Sequence, residues 1–205
     1  MMQIKKIGIM GGTFDPIHYG HLMLAEQIRS SYGLDQIIFI PVGNAPHKQK
    51  NKPTDKMHRY MMTILATASN PHFTVSDIEI KKTEITYAID TIKELKTLLN
   101  TPVELYFITG ADAIILLDTW KSYKELVKYV KFIGASRPGV DERLLKAKIE
   151  ELSLELGAHI ELCSVPALAI SSTDIRDRVR EGKSIKYLLP ETVENYICKE
   201  KIYLC

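Results

Sequence analysis

His18 and His21 stand three residues apart, just behind the stretch Gly11-Gly12-Thr13-Phe14-Asp15-Pro16. On a helix that spacing puts two imidazoles on one face, near its start. Two imidazoles beside a phosphate can donate hydrogen bonds to its oxygens. The residues before them, 4–10, form an apolar run that predicts a buried strand. Asp15-Pro16 reads as a tight turn, and Pro16 keeps Asp15 out of helix, so a helix can begin only after it. Leu22, Leu24, Ala25 and Ile28 then supply its apolar face. Strand, glycine turn and helix aim free backbone N–H groups and a positive helix end at one point, where an anion can sit. Gly11 and Gly12 would let a phosphate approach the backbone with no Cβ in the way.

Three other readings of this stretch are weaker. No Gly-Lys-Ser/Thr closes the turn, so it is not a Walker A loop. It is not the Gly-x-Gly-x-x-Gly dinucleotide fingerprint either. A His pair could be half of a metal site, but no third His, Cys or carboxylate is spaced to complete it, and no protein metal site is expected. A second constellation lies far downstream. Ile170-Ser171-Ser172-Thr173, with Arg176 beyond, places hydroxyls and N–H groups at a helix start and a guanidinium one turn in, which is again an anion site.

The elements that must position these residues follow from periodicity. Strands are expected over 36–42, 73–80 (with a bulge at Asp77), 103–109, 130–135 and 159–165. Helices are expected over 88–99, 141–156, within 170–181 and over 190–199, with a short one ending near Trp120. Ile92, Leu95 and Leu99 should face inward. Thr54 is a plausible N-cap for a helix whose Met57, Tyr60, Met61, Ile64, Leu65 and Ala68 recur at helical spacing and should form its buried face. Ser122 to Glu125 reads as a capping box. Alternating strands and helices predict an α/β fold, a doubly wound, mostly parallel sheet covered on both faces. In such sheets ligands bind beyond the carboxyl ends of the strands. Gly11-Gly12, Pro46-His47-Lys48, Gly110 with Asp112, Arg137, and Ser171 with Arg176 all follow strands in that way.

Residues 11–21 resemble the signature of the His-x-Gly-His nucleotidyltransferase superfamily. Within it the chain is most similar to bacterial nicotinate-nucleotide adenylyltransferases, and the resemblance spans nearly the whole sequence. It implies a Rossmann-like fold and adenylyl transfer from ATP to nicotinate mononucleotide, giving nicotinate adenine dinucleotide and pyrophosphate in NAD biosynthesis. His18, His21, Lys48 and Arg176 would be catalytic. Gly11, Gly12, Thr13, Phe14, Gly110, Asp112, Ile170 and Ser171 would bind ATP. His47, Thr86, Tyr87, Trp120 and Arg137 would bind nicotinate mononucleotide. Mg²⁺ is implied as a passenger on ATP. Asp112 reads equally as a helix N-cap, and Trp120, the only tryptophan, equally as core. The pyridine-recognising loop of the family often reads Ser-Tyr-Thr-x-Asp-Thr. Here it is Thr86-Tyr87-Ala88-Ile89-Asp90-Thr91, so a hydroxyl is missing at Ala88 and the choice between nicotinate and nicotinamide stays open.

The 205 residues suit one nucleotidyltransferase domain, whose part from about 166 to 205 would be a helical phosphate-binding extension. Lys+Arg 27 against Asp+Glu 25 is too balanced for a nucleic-acid coat or a membrane-surface protein. Three cysteines with no Cys-x-x-Cys fit reduced thiols, and no apolar run reaches the ~20 residues of a membrane span, so a cytoplasmic location is expected. A homo-oligomer is open on this evidence.

Overall fold

The computed structural model describes residues 4–44, 53–136, 141–165 and 168–204. Its strands are β1 (Lys5–Gly12), β2 (Gln36–Pro41), β3 (Phe73–Val75), β4 (Val103–Gly110), β5 (Lys131–Ser136) and β6 (Ile160–Ser164). They form one six-stranded sheet in the order β3-β2-β1-β4-β5-β6. From β1 the chain winds outward through β2 and β3, then restarts at β4 and winds the other way, which is the doubly wound topology. The pairs β1/β4, β4/β5 and β5/β6 are parallel, with Ile9 opposite Phe107 and Phe107 opposite Phe132. The helices are α1 (Tyr19–Tyr32), α2 (Lys56–Thr67), α3 (Ala88–Leu99), α4 (Ala111–Ile115), α5 (Tyr123–Tyr129), α6 (Glu142–Leu156), α7 (Ser172–Arg180) and α8 (Glu191–Lys199), with a 3-10 turn at Leu117–Thr119.

The chain falls into two compact units. The first comprises Met1–Met10, Gln27–Ile37 and Tyr87–Ala167. Its strands are continuous apolar runs because both of their faces are covered: Ile7, Ile9, Leu105, Phe107, Ile108, Phe132 and Ile133 are all buried. Ile92 and Leu95 of α3 are buried as expected, while Leu99 is half-buried. Asp141 caps α6 by accepting from the N–H groups of Arg143 and Leu144, and Gly157, at φ 64°, ends it. The capping box expected at Ser122 does not form. Ser122 has φ 52°, whereas a side-chain cap needs an extended residue, and its carbonyl serves the turn instead.

The second unit comprises Gly11–Glu26, Ile38–Thr86 and Leu168–Cys205. Here two expectations are corrected. Residues 73–80 are not one strand: β3 stops at Val75, the Ser76 hydroxyl accepts from the N–H of Ile78, and Lys81 N donates to Asp77 O. Those local bonds compete with a ladder and turn the chain, although Ile78 and Ile80 still reach the core. The second correction concerns α2. Asp55, not Thr54, is its N-cap, accepting from Met57 N at 2.8 Å. Its buried face carries Arg59, Met62, Thr63, Ala66 and Thr67, while Met57 and Met61 are 54% and 38% exposed. The apolar stripe is therefore rotated away from the core.

Arg59 explains the rotation. It is only 1% exposed, and its guanidinium donates to three carbonyls: Thr54 O at 2.9 Å, Thr13 O at 2.8 Å and Gly43 O at 3.3 Å. A buried charge persists only when its donors are satisfied. Burial lowers the Arg59 pKa, and Asp15, Asp55, Tyr203 and Glu79 pull it back up. Thr63 and Thr67 return their hydroxyl protons to the carbonyls of Arg59 and Thr63, so both hydroxyls of the polar inward face are met. Replacing Arg59 with Met should destabilise the protein by about 3 kcal/mol in urea unfolding, because three buried or half-buried carbonyls lose their partner. Met61→Gln should cost under about 0.5 kcal/mol in the same experiment.

Candidate phosphate-handling site

The site is built on the loop between β1 and α1. Phe14 sits there at φ 50°, with its ring buried. That ring lies over Gly12: a Cβ at Gly12 would meet it at 2.7 Å. The bare Cα of Gly12 thus admits Phe14 rather than open space. Phe14 in turn packs edge-on against the His21 ring, with centroids 5.2 Å apart. Its side chain supports His21, and a nucleotide contact there would fall to its backbone.

His18 and His21 do share one face, and their rings stack at 3.8 Å. The backbone N–H of His18 donates to His21 Nδ1 at 3.3 Å. An accepting Nδ1 puts the His21 proton on Nε2, so the free end of the ring is a donor. Burial lowers His18 to about 4, and burial together with His18 lowers His21 to about 3. Both rings are therefore neutral at pH 7. They act through N–H dipoles, not as cations. The Nδ1 of His18 is buried and, among the described residues, has no partner. A buried polar atom left so is unusual and is what a ligand-binding atom looks like before its ligand arrives.

The expected cradle of free helix amides is only partly available. Tyr19 N already donates to Leu188 O at 3.1 Å, and His18 N is committed to His21. The side chains, more than the first amides of α1, are left to meet an anion. Gly20 matters here for a steric reason. A Cβ on it would stand 3.0 Å from Cε1 and Nδ1 of His18, and Ile170 O lies 3.9 Å from the same point.

The second constellation meets the first. Ser171 caps α7, accepting from Asp174 N at 3.1 Å, and the Ser172 hydroxyl donates to Pro16 O at 2.9 Å. Arg176 Nη1 donates to Asp15 O at 2.8 Å and Nη2 to Thr173 Oγ1 at 3.2 Å. Two motifs more than 150 positions apart in the chain are thereby tied within one unit. The guanidinium is aimed by two bonds and keeps further N–H groups for a phosphate. Thr13 and Gly11 lie at the head of this loop, half-buried and exposed respectively.

Of the residues expected to meet the pyridine nucleotide, Thr86 is buried. Its hydroxyl donates to Glu79 Oε2 at 2.6 Å and its N–H to Asn44 O at 3.1 Å. Both donors are committed, so Thr86 holds its loop in place. In the other unit, Tyr87 precedes α3 and lies under the Lys121 ammonium at 4.0 Å. Trp120 is half-buried, with one edge against Phe107 at 5.6 Å, so it is not a core residue. Asp112 is exposed in the first turn of α4, and Gly110 holds the N-cap position, so the capping role is excluded for Asp112. His47, Lys48 and Arg137 lie outside the described residues. Sequence reasoning passed over Arg59, Glu79 and Tyr203. Glu79 and Tyr203 are single polar residues among apolar or loop neighbours, and Arg59 follows Lys56 and His58 on α2, so only their partners reveal them.

Two measurements test this geometry. Gly20→Ala should push the His18 ring aside and lower turnover roughly tenfold, with little change in melting temperature. The second concerns acid. Above pH 6.5 the two histidines are neutral whether the chain is folded or unfolded. As pH falls below 6.5 the unfolded chain takes up protons that the folded one refuses until about pH 4 and then 3. Stability must therefore drop with falling pH across that window. Relative to a His18→Gln/His21→Gln variant, the protein should lose roughly 4 kcal/mol more between pH 7 and pH 5.

Comparison with known proteins bears on these features. A family model described as cytidylyltransferase-like matches residues 9–178. A protein of a Thermoanaerobacter species named probable nicotinate-nucleotide adenylyltransferase is 56% identical, covering 97% of this chain and 94% of its own. One of the same name from Moorella thermoacetica is 51% identical, covering 97% and 91%. Among solved structures, the Plasmodium falciparum nicotinic acid mononucleotide adenylyltransferase complexed with NaAD matches with a TM-score of 0.78 at 26% identity, covering 97% of each chain. The match reaches from the glycine loop through Arg176, and on that ground the chain belongs to the cytidylyltransferase-like family, among its nicotinate-nucleotide adenylyltransferases.

Proposed function

We propose that this protein transfers the adenylyl group of ATP to nicotinate mononucleotide, releasing pyrophosphate and forming nicotinate adenine dinucleotide. A phosphate monoester with a second pKa of about 6 is already an anionic nucleophile at neutral pH. Its oxygen attacks the α-phosphorus of ATP, the bond to the β-phosphate oxygen breaks, and pyrophosphate leaves. No general base and no covalent intermediate are needed. The barrier is electrostatic, and catalysis consists of positioning two anions and spreading their charge.

One observation carries the assignment of roles: two neutral, stacked imidazoles sit on the same loop that holds Arg176. Neutral rings avoid the cost of keeping two buried imidazoliums side by side. Nε2–H of His21 donates to the α-phosphate as negative charge builds on it. His18 holds a neighbouring phosphate oxygen, and Arg176 with Lys48 takes the charge of the leaving pyrophosphate. Mg²⁺ enters as part of the substrate, on the triphosphate.

The nicotinate carboxylate has a plausible seat at α3. Tyr87 makes no side-chain cap there, and although Asp90 N and Thr91 N donate to Tyr87 O, the N–H groups of Ala88 and Ile89 at the positive end of that 12-residue helix would meet the carboxylate, with Lys121 pairing Asp90 beside them. Nicotinamide has no carboxylate to place there, and nicotinate should be preferred. A cytoplasmic location and a single catalytic domain over 1–205 belong to the same reading. Among the described residues no helix is long and apolar enough to cross a membrane.

Pyrophosphate release from ATP, measured side by side with nicotinate and nicotinamide mononucleotide, tests the substrate. Turnover should be faster with nicotinate by at least tenfold in kcat/KM. His21→Ala should lower kcat by about 10²–10³ while the protein stays folded. Near-full turnover in that variant would remove His21 from the mechanism.

A further inference from the structure

We propose that Tyr203 is a positioning residue for the transfer, fixing Asp15 and, through Asp15, the seat of Arg176. The inference rests on the reading that Arg176 handles phosphate charge. The Tyr203 hydroxyl donates to Asp15 Oδ1 at 2.8 Å. Thr54 N donates to Asp15 Oδ2 at 3.2 Å, so both oxygens of this buried carboxylate are held. The backbone carbonyl of the same residue accepts from Arg176 Nη1. The peptide plane that aims the guanidinium is thus set by a side chain pinned at both ends.

Tyr203 reaches Asp15 from the turn after α8, by a route its backbone resists. It adopts φ 69°, and Lys201 adopts φ 53°, left-handed conformations that bulky residues avoid. Ile202 between them is buried, and its N–H donates to Ile197 O, which anchors the turn to α8. Strain held by an anchored turn so that one hydroxyl meets one carboxylate is a specific arrangement, and plain packing would not require it. Burial, then the Asp15 carboxylate, push the Tyr203 phenol up. It stays protonated and meets the Asp15 carboxylate as a donor. Arg59, which grips Thr13 O, secures the other side of the same loop.

The test is a double-mutant cycle on the full chain, read as steady-state kcat and KM for ATP and nicotinate mononucleotide. Tyr203→Phe keeps the ring and removes only the hydroxyl. It should lower kcat about tenfold and change either KM less than twofold. Arg176→Ala should lower kcat further, and adding Tyr203→Phe to it should have no additional effect, because the seat being positioned is then empty. A merely structural tyrosine would lower kcat by the same factor in both backgrounds, and that result overturns the proposal. So does a Tyr203→Phe enzyme within twofold of wild type. If Arg176→Ala itself leaves kcat unchanged, the reading of Arg176 fails and the inference with it. Should Tyr203→Phe be unfolded at the assay temperature, Asp15→Asn replaces it in the cycle with the same expected non-additivity.

Discussion

The structure depends on holding one short loop, Thr13 to His18, in a single shape. That loop has little regular structure of its own, and Phe14 sits in a left-handed conformation. It is held from three directions. Arg59 grips the carbonyl of Thr13, Ser172 and Arg176 donate to the carbonyls of Pro16 and Asp15, and the side chain of Asp15 is met by Thr54 and Tyr203. Each contact is a backbone carbonyl or a buried carboxylate finding a donor, which is what an irregular buried segment needs in order to exist. The loop that leads to His18 and His21 is therefore held by residues from three other parts of the chain.

The electrostatics follow from that enclosure. Desolvation keeps both histidines uncharged, and the guanidinium of Arg176 is held to the same loop through Asp15 O. A site made of neutral donors with a fixed cation to one side suits a reaction in which negative charge shifts from one phosphate to the next. The donors can follow the shift without themselves titrating near neutral pH.

Much of this was legible in the sequence. The apolar run of β1, the proline that delays α1, and the Ser-Ser-Thr start of α7 are local signals, and local signals survive folding. The parts that were not legible are those where tertiary demands override local preference. The apolar stripe of α2 predicts the wrong face because Arg59 must turn inward to reach three carbonyls that belong to other segments. The run 73–80 has strand composition but breaks where Ser76 and Asp77 find bonds closer at hand. Nothing in Lys201-Ile202-Tyr203 marks a functional residue, because its significance lies in a partner 188 positions away. The edge of Phe14 packs against His21, a contact that the sequence does not signal.

Glu79 has a consequence for how such an enzyme can diversify. One of its oxygens accepts both the N–H of Gly43, just beyond β2, and the hydroxyl of Thr86, which leads into the segment expected to read the pyridine. At Gly43 the Glu79 backbone also comes so close that any side chain would collide with it, 2.3 Å away. The three positions form an interlock, and none can be exchanged alone. Grafting a foreign specificity segment at 83–87 into this scaffold would take the Thr86 hydroxyl away from the buried Glu79 carboxylate unless the graft brings its own. Changes in acceptor preference in this lineage must then arrive either downstream of Thr86 or as a coordinated set.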